Sequence, residues 1–361
     1  DSTEHIKELM VMQEMPQPKK TFLLNRGQYD APTKQVFPNT PEKILPFSNQ
    51  LPKNRYGLAQ WLTDARNPLT ARVAINHLWQ NFFGKGLVKT AEDFGNQGEM
   101  PSHLNLLDWL AIELRDNNWD IKKINKLIVM SATYQQDSKA SSMLMEKDPE
   151  NKLLARGPSI RLSAEMIRDN ALVASGLLNK KLGGKSVYPY QPEGLWEING
   201  TKYNQDSTDQ VYRRSLYIVL KRTVPNPTLA NFDGPSRASC VVRRQSTNTP
   251  LQALVTLNDP TFIEAAKVIG ESITKQQNTT AAIGLAYRQL TGITPTSKQI
   301  ALLSAMQQAE YNKFKGNPNK IKGWINAGLY KINKTLDPYW VAANSVVAST
   351  ILNSDATITK R

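Results

Sequence analysis

Prolines divide this 361-residue chain into two kinds of sequence. Between residues 16 and 54, the runs PQPKK, YDAPTK, VFPNTPEK, LPF and LPKN place one every few residues. Each proline fixes its own φ, lacks an amide donor and biases the preceding residue toward extended backbone, so this stretch cannot be helical. Its apolar residues Phe22, Leu23, Leu24, Val36, Phe37, Ile44, Leu45 and Phe47 predict a connector that packs along a body. Beyond residue 55 several prolines stand instead where helices begin, at Asn67-Pro68, Pro101-Ser102, Thr249-Pro250 and Asp259-Pro260.

From Arg55 the apolar residues recur at helical spacing. Ala74, Ile75, Leu78, Trp79 and Phe82 share one arc of LTARVAINHLWQNFF, which Gly84 and Gly86 end. HLNLLDWLAIEL closes near Asn117-Asn118, and IKKINKLIVMSATYQQ follows. Ser163 is placed to cap AEMIRDNALVASGLL, with a stop at Gly183-Gly184. Thr296 and Gln299 are spaced as a capping box, and a last helix is expected from about Pro338 to Leu352. RSLYIVLKR (214–222) is the best strand candidate. The expected fold is mainly α: one helical body over 55–361, one or two short strand pairs and long irregular loops, with 1–54 as the end of a preceding domain and the connector.

Composition narrows the chemistry. One cysteine, Cys240, excludes an internal disulfide, a cysteine-rich zinc module and haem attached through two thiols. Three histidines, His5, His77 and His103, leave little for a histidine-rich metal centre, and no metal site is expected. No apolar run is long enough to span a membrane. A net charge of +14 favours anionic partners: nucleic acid, anionic glycan or an anionic membrane surface. The basic residues are scattered and no helix-turn-helix, zinc-finger or RNA-recognition signature is present, which argues against nucleic acid. The opening DSTEHIKELMVMQEMP lacks an initiator Met and reads as the start of a fragment or processed chain.

Three constellations are candidates for function. Arg72, Asn76 and Gln80 form one stripe with His77 beside it; they either grip a carboxylate or sulfate, with His77 as acid or base, or tie the helix to a neighbouring segment. Glu165 and Asp169 share a helix face, as an acid–base pair or as an ion-pair network with Arg161 and Arg168. The most site-like segment runs from Glu193 to Arg244. There Trp196 and Tyr203 are of the kind that stacks sugar rings, Glu193 and Asp233 are further candidate acid–base carboxylates, and Arg213, Arg214, Lys221, Arg222, Arg237, Arg243 and Arg244 surround them in sequence. The arginines suit sulfate, carboxylate or phosphate, or else anchor loops by their carbonyls. Cys240 is expected to be a buried small residue, since no histidine is near it in sequence.

NPLTARVAINHLWQNFFGKGLV, TAEDFGNQGEMPSHLNLLDWLA, GGKSVYPYQPEGLW and FDGPSRASCVVRRQSTNTPLQALVTLNDPTFIEAA, in that order, resemble the C-terminal domain of unknown function of the large planctomycete-type cytochrome c proteins. The likeness runs from about residue 50 to the end. It implies an exported protein, periplasmic or at the cell surface, with a monohaem cytochrome c module and a middle domain before this one. It also implies a genetic setting beside sulfatase-like proteins, and so work on extracellular, sulfated polysaccharide. This chain has no Cys-x-x-Cys-His, so any haem c belongs to a part outside it.

Two functions follow: a domain that binds or processes anionic (sulfated or uronic) polysaccharide, or a non-catalytic scaffold that docks a cytochrome, its own preceding domains or a partner enzyme. Whether it is an enzyme stays open. Either way, the purified chain should show no Soret absorbance that survives acid-acetone extraction, because one cysteine cannot form two thioether bonds.

Overall fold

Capping side chains set most of the helix starts. In the computed structural model, which describes residues 10–197 and 200–360, Asn54 opens α1 (Arg55–Leu62) by accepting the Gly57 amide at 3.0 Å. Asn67 accepts the amides of Leu69 and Thr70 and opens α2 (Thr70–Phe83). α3 (Leu104–Asp116) and α4 (Ile121–Val129) follow, the second capped by Asp120. After α5 (Ser142–Lys147), Ser163 caps α6 (Ala164–Ser175) as expected. Proline begins each of α7 (Pro227–Asn231), α8 (Pro250–Asn258) and α9 (Pro260–Thr274). α10 (Thr279–Thr291) precedes α11 (Ser297–Gly316), which the Thr296–Gln299 capping box opens. α12 (Lys322–Ile325), α13 (Pro338–Leu352) and α14 (Asp355–Ile358) complete the order. No helix among the described residues is long and apolar enough to cross a membrane.

Among the described residues strand is confined to two short antiparallel pairs, so the fold is mainly α. β1 (Thr21–Leu24) pairs with β2 (Pro32–Val36), and β3 (Ile160–Arg161) pairs with β4 (Thr359–Lys360). Residues 214–222 are not a strand. Ser215–Tyr217 form a 3-10 turn, and Ile218 makes only an isolated bridge to Val187. The reason lies in side chains: Asp169 accepts both the Ser215 amide (2.8 Å) and its hydroxyl (2.7 Å), taking the place of a neighbouring strand. α6 also stops earlier than expected. Gly176, at φ +77°, terminates it well before Gly183.

Packing divides the chain into two compact units, a division that the unbroken helical periodicity does not mark. The first holds the described residues up to Asn81 together with Lys85–Met130; the second holds Phe82–Gly84 and Ser131 onward. In the first, Trp61, Ile75, Trp79, Leu107, Leu110 and Leu114 are buried. The connector is tied to α1 by the Trp61 indole, which donates to the Leu45 carbonyl at 2.8 Å. Leu45 is buried and Phe47 half-buried, whereas Phe22, Leu23, Leu24, Val36, Phe37 and Ile44 are exposed on and beside the hairpin.

The second unit is organised by α9 and α13. α13 carries no charged residue and is largely buried, with Val341, Ala342, Ala343, Val347 and Ala348 showing no exposure. α6, α8 and α10 also pack on α9, and Phe262, Ala265, Ala266, Ile269, Ile283 and Ile351 lie in their shared core. The two central helices approach closely at Gly270. A Cβ there would lie 2.6 Å from the Ser345 amide nitrogen and 2.7 Å from its Oγ. Gly270→Ala should therefore overpack the helix pair by about 1–3 kcal/mol. Thermal melts should show a Tm lowered by several degrees, at about 2–4 °C per kcal/mol for a domain of this size.

Candidate functional site

The polar face of α6 begins the most side-chain-rich region. Glu165, in its first turn, meets Arg244 in a two-pronged ion pair with Nη1–Oε2 at 2.6 Å and Nη2–Oε1 at 3.1 Å. Burial alone would raise the Glu165 carboxyl pKa, but the hydrogen bonds led by Arg244 outweigh it and hold the group below the ordinary glutamate range. Asp169, one turn on, is spent on Ser215. Arg168 is buried between them and donates to the carbonyls of Val211 (2.6 Å) and Arg213 (2.9 Å). Burial lowers its pKa, partly offset by the Asp169 and Asp259 carboxylates.

Arg213 is equally buried and equally structural. Its guanidinium donates to the carbonyls of Lys181 (2.9 Å) and Gly183 (2.6 Å) and lies 3.9 Å from the Tyr217 ring centroid. It is a loop anchor and presents no charge to a ligand. Asp233 closes the following loop, accepting the Thr247 amide at 2.8 Å and its hydroxyl at 2.9 Å. Arg214, Arg222, Arg237 and Arg243 are exposed, as is Glu193. Cys240 is exposed too, contrary to its expected burial: it lies in an exposed loop held near its ends by Asp233 and Arg244.

Trp196 and Tyr203 do come together, but on each other. Their centroids are 5.0 Å apart, edge to face, and Tyr188 completes the trio at 5.9 and 5.4 Å. Lys221 lies 4.6 Å from the Trp196 centroid, and the Tyr203 hydroxyl donates to the Pro189 carbonyl at 2.5 Å. Burial and then the Asp206 carboxylate push the Tyr203 phenol up. The rings expected to stack on sugar thus form a small apolar cluster under a lysine.

The α2 stripe lies in the first unit. Arg72 pairs with Asp108 of α3 at 2.6 Å. Asn76 has no exposure and clamps Val88, donating to its carbonyl at 3.0 Å and accepting its amide at 2.8 Å. His77 is half-buried, and its Nε2 has no partner among the described residues. His103 stands at the start of α3 with Nδ1 3.1 Å from the Ser102 hydroxyl, and His5 lies outside the described residues.

A polar seam on α9 escaped the sequence reading. Glu264 has no exposure; it accepts the Tyr190 and Tyr212 hydroxyls at 2.8 Å each and the Tyr330 amide at 2.6 Å. Lys267, also unexposed, donates to the carbonyls of Ala327 and Tyr330. Burial, followed by the bonds to Glu264, raises both tyrosine pKa values; burial lowers that of Lys267, with Glu264 opposing it. The available signal was the scarcity of charge on α9: Glu264, Lys267 and Glu271 are its three charged residues among fifteen, too few for a solvated face.

A family model described as PSD1, protein of unknown function (DUF1553), matches residues 54–307. No curated protein and no solved structure matches the chain.

The Glu165–Arg244 pair has a pH signature. A carboxyl held below its unfolded value stabilises the fold above the ordinary glutamate pKa, and that contribution disappears as pH falls through the lowered value. Arg244→Ala should cost about 1 kcal/mol at neutral pH, as a partly exposed but two-pronged pair. In urea unfolding the gap from wild type should close in acid.

Proposed function

The chain belongs to the PSD1 family of proteins of unknown function, and we propose that it is a non-catalytic binding domain for an anionic polysaccharide, sulfated or uronic. The observation that carries this reading is how the charges are used. Glu165, Asp169 and Asp233, three of the acid–base candidates, are each held by hydrogen bonds from Arg244, Ser215 and Thr247. Arg214 and Arg222, by contrast, are exposed and meet no carboxylate among the described residues. Lys180, Lys181 and Lys185 are exposed as well. From Lys180 to Arg244 the sequence carries eleven basic and five acidic residues. A surface of that kind attracts a polyanion. The resemblance to cytochrome-linked proteins supports an exported setting, periplasmic or at the cell surface, with haem c on another part of the protein.

A second reading has its own observation. Leu251, Leu254 and Leu257 lie along one face of α8 and are each about half exposed. Three leucines so placed favour a scaffold that docks a cytochrome or partner enzyme.

The test is affinity for dextran sulfate against neutral dextran at rising salt. Binding should be selective for the sulfated polymer and weaken steeply as the Debye length falls below about 8 Å. Arg214→Glu with Arg222→Glu should weaken it on the order of tenfold, while Trp196→Ala changes it little. Equal binding of both polymers, or an unaffected double variant, would favour the scaffold.

A further inference from the structure

Residues 10–19 run without helix or strand beside the connector and, with residues 38–58, line an open pocket of about 490 Å3 in the first unit. That size is within the range of small-molecule sites, about 300–1,000 Å3. Its apolar wall comes from Pro18, Pro38, Phe47 and Leu58. Three cations line it: Lys19, Lys53 and Arg55.

One carboxylate is already present and shows how the pocket receives anions. Glu14 accepts the Arg55 Nε at 2.8 Å and, with the same oxygen, the Arg55 amide at 3.3 Å, at the first turn of α1. That pair leaves Lys19 and Lys53, neither of which meets a carboxylate among the described residues. The wall also includes Thr40, about nine-tenths buried, whose hydroxyl has no partner among the described residues. An apolar wall beside two cations that meet no carboxylate suits an anion with an apolar body.

We propose that this pocket binds a small carboxylate with an aromatic or short aliphatic body, held by Lys19 and Lys53 against Phe47 and Leu58. The site is separate from the polymer-binding reading and does not depend on it. The full chain is titrated by calorimetry with naphthoate and, as the neutral isostere, naphthamide. Naphthoate should bind at one site, on the order of tenfold more tightly than naphthamide. Glu14→Gln, which removes a like charge, should tighten naphthoate several-fold; Lys53→Gln should weaken it by a similar factor; Arg214→Glu with Arg222→Glu should leave it unchanged. Opposite shifts from two exposed neighbours are not what loss of folding produces. The proposal is overturned by absence of naphthoate binding, by equal binding of naphthamide, or by indifference to both Glu14→Gln and Lys53→Gln.

Discussion

A carboxylate removed from water costs several kcal/mol unless its lone pairs are filled from within the protein, and in the second unit that carboxylate is Glu264. It accepts hydrogen bonds from the Tyr190 and Tyr212 hydroxyls and from the Tyr330 amide, while Lys267 donates to carbonyls of the same turn. The turn can come this close because residue 328 is glycine. Its φ is +66°, and a Cβ would run into the Glu264 carboxylate. Tyr190 and Tyr212 belong to the long irregular stretch between α6 and α7, which has little regular hydrogen bonding of its own. The raised pKa values of both phenols keep them protonated, and so donating, across the ordinary pH range. A buried acid on the central helix thus orders loops that no sheet could order.

The arginines extend the same principle. Backbone carbonyls outside helix and strand still need donors. Arg168 serves Val211 and Arg213, and Arg213 in turn serves Lys181 and Gly183. Two guanidinium groups thus supply donors to loop carbonyls on either side of the turn at Ser215–Tyr217, which Asp169 itself holds. The net charge of +14 overstates the charge available to a partner, since part of the cationic side chain inventory is consumed inside.

What was legible in the sequence follows from this. Local chemistry read correctly: the caps at Asn67, Ser163 and Thr296, the proline starts of α8 and α9, and the bounds of α13 all depend on a few neighbouring residues. Long-range pairing did not. Nothing beside Glu165 announces Arg244, 79 positions away, and nothing beside Glu264 announces Tyr190. Arg213 and Arg214 are adjacent and chemically alike, yet one is a buried anchor and the other a surface charge. Trp196 and Tyr203 were recognisable as an aromatic pair, but whether their faces meet a ligand or one another depends on Tyr188 and Lys221. The exposed hairpin at Thr21–Val36 shows the same limit: its apolar residues suggested burial, and the pairing of β1 with β2 satisfies the backbone without a core.

These pairings also bear on chemistry. A general acid needs a carboxyl held near the working pH, which requires burial or a neighbouring negative charge that its hydrogen bonds do not cancel. At Glu165 the opposite holds: burial is opposed by hydrogen bonds led by that from Arg244, which together hold the carboxyl below the ordinary glutamate range. Asp169 and Asp233 accept two hydrogen bonds each from a single residue, and moving either to serve a substrate would release a 3-10 turn or a loop. Their geometry is therefore committed to structure, whereas Arg214 and Arg222 have no such duty. Groups that can engage a partner without unmaking the fold are, in this segment, predominantly cations, and cations on a surface bind more readily than they catalyse.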